Sequence, residues 1–292
     1  MHVLIVGLGG IGRVLATNLV AQGHAVTGMS RTPQTVLDRI VGVTHLAQSV
    51  HQANFEQLPP IDWVYVLLTP DDRSADSYRH IFIDSLMPLS TALQHHPVQR
   101  MVFISSTSVY GSGQPEWLNN QNTKNADTVD GDKNAKDLDD INWMDEATSP
   151  QPDTATGAIL WQAEQQWQQV WAEKLVVVRP SGIYGPNRLR LITWVQQAKP
   201  VKYNQWTNRI HSADLAGFLA HLISLKTLVP LYIATDNQPS LQHEVLDYIA
   251  KQRGLARVAK IDAAPSGKKL CNLKLRQTGY VLQYPSYIEG YR

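Results

Sequence analysis

A short apolar segment that runs directly into closely spaced glycines is the feature that most constrains this chain. Residues 2–12 read HVLIVGLGGIG and place Gly7, Gly9 and Gly12 in GxGxxG spacing. An apolar stripe over residues 11–22 predicts a helix directly after the glycines. In such a strand–turn–helix unit the first glycine allows a tight turn, the second lets a pyrophosphate approach the backbone, and the third lets helix and strand pack closely. The pyrophosphate would lie on the free N–H groups of the helix N-terminus.

This motif predicts a dinucleotide-binding turn. We expect six consecutive residues to contact the dinucleotide: Gly7, Leu8, Gly9, Gly10, Ile11 and Gly12. The alternative interpretation is a glycine-rich turn in an α/β domain that binds a different ligand.

Short apolar runs alternate with helical patterns along the rest of the chain. Apolar runs predict strands at 24–29, 63–68, 100–105, 175–179 and 231–234, and helical patterns occupy 74–94 and 157–172. Helices alternating with strands that are almost continuously apolar are typical of a parallel sheet covered on both faces. We therefore predict an α/β fold with a doubly wound parallel sheet of the Rossmann type.

The domain organisation follows from the same pattern. We predict an NAD(P)-binding Rossmann domain over residues 1–182 and a smaller C-terminal substrate-capping region over residues 183–292, of which about 209–234 returns to the sheet. Residues 119–140 are rich in Asn, Asp and Lys and contain few apolar residues. Such a segment cannot bury enough surface to offset the entropy of ordering its backbone. We expect it to be a flexible surface insertion.

The composition excludes several classes of protein. The formal net charge is +1, without long blocks of either sign, so no basic face for nucleic acid is indicated. No stretch reaches the roughly 18 apolar residues of a membrane helix. A single cysteine, Cys271, fits a reducing compartment. We expect a cytoplasmic protein, monomeric or homodimeric, with a small-molecule substrate, no nucleic-acid or membrane partner and no metal site.

The end of the second predicted strand bears on which dinucleotide is bound. A carboxylate at this position would bind the ribose 2′-hydroxyl of NAD, but the sequence has Ser30 and Arg31 instead. A guanidinium can form a charge-assisted contact with a 2′-phosphate. We therefore predict NADP as the cofactor, with NAD as the alternative if Arg31 is only an exposed strand-end arginine.

Three further motifs follow the glycine turn. They are FISSTSVYG at 103–111, VVVRPSGIYGPNR at 176–188 and RIHSADLA at 209–216. In this order, the motifs resemble those of the extended and atypical short-chain dehydrogenase/reductases, in the epimerase/dehydratase branch. The resemblance covers most of the chain apart from residues 119–140. It implies a Rossmann fold, NAD(P) binding and further cofactor contacts at Leu68, Thr69, Pro70, Ser105 and Pro180.

The resemblance also assigns the catalytic positions. Ser106 occupies the place of the hydroxyl residue that holds the reacting substrate oxygen, the alternative being a serine that caps a strand end. The family's tyrosine and lysine, which handle the proton at the start of the next helix, are replaced by Thr156 and Leu160, if Glu164 is aligned with the family's acid. A threonine hydroxyl is a far weaker acid than a phenol of pKa about 10, and leucine carries no charge. We expect the tyrosine–lysine mechanism to be absent.

For the substrate, the resemblance implies contacts at five residues: Thr107, Tyr110, Tyr184, Arg209 and His211. Sugar-nucleotide epimerases usually carry an arginine where this chain has Thr207, which puts a nucleotide-sugar substrate in doubt. His211 is also typical of a packed structural histidine. Ser212 is predicted as a helix N-cap, with Asp214 in the first turn.

Two functions remain open. One is an NAD(P)-dependent oxidoreductase or epimerase acting on a small hydroxyl or carbonyl substrate, of which a sugar derivative is one example. Its proton relay would then use other groups, the candidates being Tyr110, Tyr184, His211, Asp145 and Glu146. The other is a catalytically silent protein that binds NAD(P) and senses redox state. A scaffold without any ligand is disfavoured by the intact glycine motif.

Overall fold

The computed structural model describes residues 1–33, 35, 39–112 and 143–292, so the predicted insertion at 119–140 lies outside the described residues. The strands are β1 (His2–Val6), β2 (Ala25–Ser30), β3 (Val43–Ala47), β4 (Trp63–Val66), β5 (Arg100–Ile104), β6 (Trp143–Met144), β7 (Leu175–Pro180), β8 (Gly182–Tyr184), β9 (Val201–Lys202), β10 (Gln205–Thr207), β11 (Arg209–His211), β12 (Leu231–Ala234), β13 (Ser240–Leu241), β14 (Lys260–Ile261), β15 (Ser266–Gly267) and β16 (Lys269–Leu270). The helices are α1 (Gly10–Ala21), α2 (Ala75–Phe82), α3 (Leu86–Ala92), α4 (Ala155–Trp171), α5 (Arg190–Gln196), α6 (Ser212–Leu222), α7 (Gln242–Gln252), α8 (Leu273–Gln277) and α9 (Tyr287–Gly290).

Seven parallel strands form the central sheet, in the order β12-β7-β5-β4-β1-β2-β3. Helices α1 and α6 pack against each other over one face, where Leu15, Leu19 and Phe218 are fully buried. The other face is covered by α2, α3 and α4, with Phe103 and Trp167 stacked in that core. Apolar side chains are thus buried on both faces of the strands, which confirms the doubly wound α/β prediction.

The C-terminal part of the chain adds a smaller apolar cluster. Val195 of α5 and Val245, Leu246 and Ile249 of α7 pack there beside Tyr184 of β8. Short strand pairs connect this cluster to the sheet, among them β8 with β11 and β10 with β15. Strand β12 forms one edge of the central sheet, at the end of the segment 209–234 that we expect to return to it. The division into domains at residue 182 stays a prediction.

Two elements differ from the sequence prediction. The single helix expected over 74–94 is two helices, α2 and α3, because a continuous helix would set the ring of Pro88 against the carbonyl of Asp84. Strand β3 was not predicted, since its residues are mixed in polarity and only partly buried at the edge of the sheet. Among the described residues, no helix has the length and apolarity needed to cross a membrane.

The cap of α6 is also different. The prediction of Ser212 as the N-cap is wrong, because the helix begins at Ser212 and His211 caps it. The Nδ1 atom of His211 accepts a hydrogen bond from the backbone N–H of Ala213 over 3.2 Å. Asp214 does lie in the first turn, where its carboxylate accepts hydrogen bonds from the backbone of Gln283 and Tyr284.

Candidate functional site

A groove runs along the carboxyl ends of β1 and β4, where the strand order of the sheet reverses. Open parallel sheets bind their ligands at this point. The groove consists of two adjoining cavities of about 340 and 360 Å³, which share Gly7, Gly9 and residues 67–69. Every residue predicted to contact the cofactor lines one of the two cavities: Gly7, Leu8, Gly9, Gly10, Ile11, Gly12, Ser30, Arg31, Leu68, Thr69, Pro70, Ser105 and Pro180.

The glycine turn has the geometry that its sequence predicts. Gly7 has a φ of 109°, and a Cβ there would overlap the carbonyl of Leu67. A Cβ on Gly12 would overlap the carbonyl of Gly7, so its absence lets α1 pack against the end of β1. Around Gly9 and Gly10, in contrast, an added Cβ would meet no atom within 4 Å. The backbone is therefore open to a ligand at the two positions that face the groove.

The start of α1 fits an anionic ligand. Its N-cap residue, Gly9, offers no side chain to the free N–H groups, and the first turn contains no acidic residue. These N–H groups and the helix dipole therefore remain available to a negative group. A dinucleotide pyrophosphate matches this requirement.

At one end of the groove, Arg31 lies on the surface and is paired with Asp71. Two guanidinium nitrogens of Arg31 donate to the two carboxylate oxygens of Asp71, over 2.8 and 2.5 Å, and these side chains are 62% and 66% exposed. The hydrogen bond from Arg31 lowers the pKa of Asp71. The neighbouring Ser30 hydroxyl lies 2.8 Å from Nε2 of His45 on β3. Arg31 thus reaches the groove, but an acidic side chain competes for its guanidinium.

At the other end, Ser105 and Ser106 after β5, Pro180 at the end of β7 and Leu160 of α4 come together. The Ser106 Oγ accepts a hydrogen bond from the backbone N–H of Ser108 over 3.1 Å, and no acceptor for its own proton lies among the described residues. Leu160 is only 3% exposed and forms an apolar part of the wall.

Thr156 lies outside both cavities. It is half-buried, and its hydroxyl oxygen is 3.4 Å from that of Thr154, the N-cap of α4. Three polar side chains that the sequence analysis did not single out line the same cavity as Ser106, namely Tyr78, Ser181 and Arg188. The motif stretches containing Ser181 and Arg188 were recognised, whereas no local signal marked Tyr78.

Behind this wall lies a buried ion pair. Arg179 of β7 and Glu164 of α4 form a two-pronged contact, and the Ser105 hydroxyl donates to the same carboxylate. Their side chains are only 3% and 4% exposed. Burial alone would lower the pKa of Arg179, but its hydrogen bonds and ion pair with Glu164 outweigh burial and raise it. The pair ties α4 to the strands that carry Ser105 and Pro180.

Tyr110 belongs to this buried network and lines none of the cavities described above. Its hydroxyl accepts a hydrogen bond from Arg179 over 2.7 Å and donates to the carbonyl of Asp145 over 3.0 Å. Burial raises the pKa of Tyr110. The structure therefore gives this predicted substrate contact two internal partners.

The other predicted proton carriers also have internal partners. The Asp145 carboxylate accepts hydrogen bonds from its own turn, at the backbone N–H groups of Ala147 and Thr148. Glu146 accepts from the backbone N–H of Ile233 over 2.9 Å. Burial raises the pKa of Glu146.

Two further cavities adjoin the groove on the side of the C-terminal region. Tyr184 and Arg209 line one of about 500 Å³, and Thr107 lines another of about 310 Å³. The Arg209 guanidinium donates to the Thr207 hydroxyl, while its Nη1 has no hydrogen-bond partner in the described part of the chain. Burial lowers the pKa of Arg209. A buried cation beside a cavity is suited to an anionic ligand.

His211 lies behind this wall and does not reach the cavities described. Its ring centroid is 3.7 Å from that of Tyr284 and 5.2 Å from that of Tyr184. Burial lowers the pKa of His211, and Nδ1 is occupied by the cap of α6. This environment matches a structural histidine.

The comparisons with known proteins agree with the fold. The model of the NAD-dependent epimerase/dehydratase family matches residues 3–134. A solved structure described as an NAD-dependent epimerase/dehydratase from Methylobacillus flagellatus is 33% identical, with a TM-score of 0.75, and the match covers 99% of this chain and 96% of that one. Protein YeeZ of Escherichia coli strain K12 is 24% identical over an alignment of 298 positions, which covers 97% of this chain and 96% of YeeZ.

A more distant structure shares the fold. The UDP-glucuronic acid 4-epimerase of Bacillus cereus, solved in complex with NAD, has a TM-score of 0.76 at 18% identity, with 100% of this chain and 94% of that chain covered. On the strength of the family model and of the full-length similarity to the Methylobacillus structure, this chain belongs to the NAD-dependent epimerase/dehydratase family.

Proposed function

We propose that this protein is an NADP(H)-dependent oxidoreductase or epimerase that acts on a small hydroxyl or carbonyl substrate with non-standard acid–base residues. One observation carries the proposal: Ser106 lies in the same cavity as the glycine turn, at its far end. A dinucleotide in this groove would have its pyrophosphate on α1 and its nicotinamide near Ser106 and Pro180.

The roles of the residues follow from their chemistry. The N–H groups at the start of α1 bind the pyrophosphate, and Arg31 exchanges Asp71 for the ribose 2′-phosphate. The bound cofactor supplies or removes the hydride. Ser106 donates its free proton in a hydrogen bond to the reacting oxygen, and Leu160 excludes water from that region.

The second candidate function is a redox sensor that binds the cofactor without turnover. It is favoured by the apolar Leu160 in the groove wall and by the position of Thr156 outside it, because neither side chain can supply a proton near pH 7. Losing positioned acid–base help typically costs a factor of roughly 10² to 10⁴ in rate.

Cofactor titration and a turnover screen separate the two functions. NADPH should bind with higher affinity than NADH, as measured by quenching of protein fluorescence, and equal affinities would contradict the role of Arg31. NADPH oxidation is then followed with a panel of small aldehydes, ketones and keto acids. Binding at low micromolar concentration without turnover of any compound would favour the sensor.

For a compound that is turned over, two single variants test the site. Ser106→Ala should lower kcat by more than about tenfold, because it removes the donor to the reacting oxygen. Thr156→Val should lower kcat by less than about tenfold, since only a hydrogen bond of roughly 1 kcal/mol is at stake. If Thr156→Val abolishes turnover while NADPH still binds, the proposed division of roles fails.

A further inference from the structure

A polar cavity of about 310 Å³ adjoins the end of the groove at which Ser106 lies. It shares Ser181 with the groove, and Thr107 forms part of its wall. Its lining in the described part of the chain includes two lysines, Lys202 and Lys268, and no carboxylate. The remaining lining groups are mostly hydroxyls and amides. Such a cavity is cationic and rich in hydrogen-bond donors.

The backbone that carries Lys268 is held from both sides. The side-chain amide of Asn208 donates to the carbonyl of Lys268 over 2.7 Å and accepts from the N–H of Leu270 over 2.9 Å. The preceding residue, Gly267, has a φ of 88°, and a Cβ there would overlap the backbone of Trp206. The position of Lys268 is therefore fixed by two contacts that do not involve its own side chain.

The ammonium group of Lys268 reaches the loop that follows β5. Its Nζ donates to the backbone carbonyls of Thr107, the first residue of the short helical turn after Ser106, and of Gly111, which follows that turn. An ammonium group has three N–H donors, and no third acceptor contacts Nζ within the residues that the structure describes. Nor does any described carboxylate lie within ion-pair distance of Lys268.

The charged groups around Lys268 leave it without an ion-pair partner within the described residues. Burial lowers the pKa of Lys268 to about 8, while the charge of Asp153 opposes this shift. The carboxylate of Asp153 is engaged by the backbone N–H of Ser112, and the ring of Tyr110 lies 5.9 Å from Nζ. Lys202 also lines this cavity, but it is exposed, so solvent screens its charge. A partly buried cation that has no ion-pair partner is stabilised by an anion that enters the cavity.

We propose that Lys268 binds a carboxylate or phosphate group of the substrate, so that the substrate class is an anionic carbonyl or hydroxyl compound. Because the cavity opens beside Ser106, the inference rests on the proposed function. With its charged group on Nζ, such a compound would place the neighbouring carbon and oxygen towards Ser181 and Ser106.

The test measures the binding of small anions to the full-length protein, with and without NADPH. Isothermal titration calorimetry with malonate and, separately, with inorganic phosphate distinguishes a carboxylate site from a phosphate site. We expect one saturable site with a millimolar Kd for at least one of the two anions. Lys268→Gln should raise that Kd by about tenfold or more, because it removes a charge-assisted contact. The matched control Lys202→Gln, at an exposed lysine of the same cavity, should change it by less than about threefold.

The pH dependence of anion affinity supplies a second readout. It is measured with malonate or, if only phosphate binds, with phosphate, and in the latter case the unmodified protein is compared with Lys268→Gln at each pH. The affinity of the unmodified protein should fall as the pH rises through about 8, because the lowered pKa of Lys268 leaves its amine neutral above that point. Lys268→Gln should lack this fall. If this variant does not fold, trace acetylation of the unmodified protein with acetic anhydride gives the same information, since the bound anion should protect Lys268 and not Lys202.

Three results would overturn the inference: no saturable binding of either anion, equal Kd values for the unmodified protein and Lys268→Gln, or equal protection of the two lysines. The NADPH titration separates this failure from failure of the proposed function. If NADPH binds and no anion does, only the assignment of Lys268 fails. If NADPH does not bind, the proposed function fails whatever the anions do.

Discussion

The buried ion pair between Arg179 and Glu164 gives the sharpest prediction about stability. Glu164→Gln keeps the shape of the side chain but removes its charge, which leaves the guanidinium of Arg179 buried without a counter-ion. The side chains are 3% and 4% exposed, so water cannot replace the lost partner. Breaking such a pair costs about 3–5 kcal/mol of the free energy of unfolding. At roughly 2–4 °C per kcal/mol for a protein of this size, the melting temperature should fall by roughly 6–20 °C.

Urea unfolding followed by circular dichroism measures this change, with the melting temperature as an independent check. The single variants Arg179→Met and Glu164→Leu should be similarly destabilising, because each leaves one buried charge without its partner. The double variant Glu164→Leu/Arg179→Met should recover more than half of either loss, since it leaves no buried charge. It should not recover all of it, because the hydroxyls of Ser105 and Tyr110 each lose a partner worth roughly 1 kcal/mol.

The reasoning is refuted if Glu164→Gln unfolds within about 1 kcal/mol of the unmodified protein with an unchanged dependence on urea. It is equally refuted if the double variant loses as much stability as Glu164→Leu and Arg179→Met together. Additivity would mean that the two side chains act independently, contrary to the contact between them.

Two further predictions concern the groove. Arg31→Ala should narrow the preference for NADPH over NADH by about tenfold to hundredfold, whereas Asp71→Asn should raise the NADPH affinity, because it frees the guanidinium and removes a negative charge that would repel the 2′-phosphate. Fluorescence titration measures both affinities, and an unchanged preference in Arg31→Ala would contradict the role of Arg31. Gly12→Ala should abolish NADPH binding and lower the melting temperature, because its Cβ would overlap the carbonyl of Gly7. The control Gly10→Ala should fold normally, and equal melting temperatures for the two variants would contradict the packing argument.

The fold could be predicted well where local sequence decides the structure. The turn after β1 requires glycine at positions 7 and 12, because a Cβ at either position would overlap a backbone carbonyl. The GxGxxG spacing therefore located the turn and the start of α1. The apolar runs located the central strands for the same reason, because strands buried on both faces have few polar residues. Edge strand β3 lacks that pattern and was missed.

The site could be predicted only as far as the motifs reach. Ser106 and Leu160 were located by their place in the resemblance, and both line the groove. Lys268 lies more than 100 residues after the motif at 103–111, and no local sequence pattern marks it as a site residue. What brings it to that loop is the clamp of Asn208 around its backbone, which is a tertiary contact that periodicity and spacing do not encode.

The positive charges around the groove are distributed differently from those expected of a site with the family's tyrosine and lysine, which Thr156 and Leu160 replace. In the family that the sequence motifs resemble, a lysine on the helix after β5 lies beside the nicotinamide. In this chain the apolar Leu160 of α4 takes that place in the groove wall. A cation does approach the same loop, but it comes from the C-terminal region as Lys268. Helix α4 has no lysine or arginine of its own that could replace this cation. Any substrate that needs a positive charge near Ser106 would therefore meet it on the C-terminal part of the chain, at Arg188 or Lys268. This links the choice of substrate to that part of the chain.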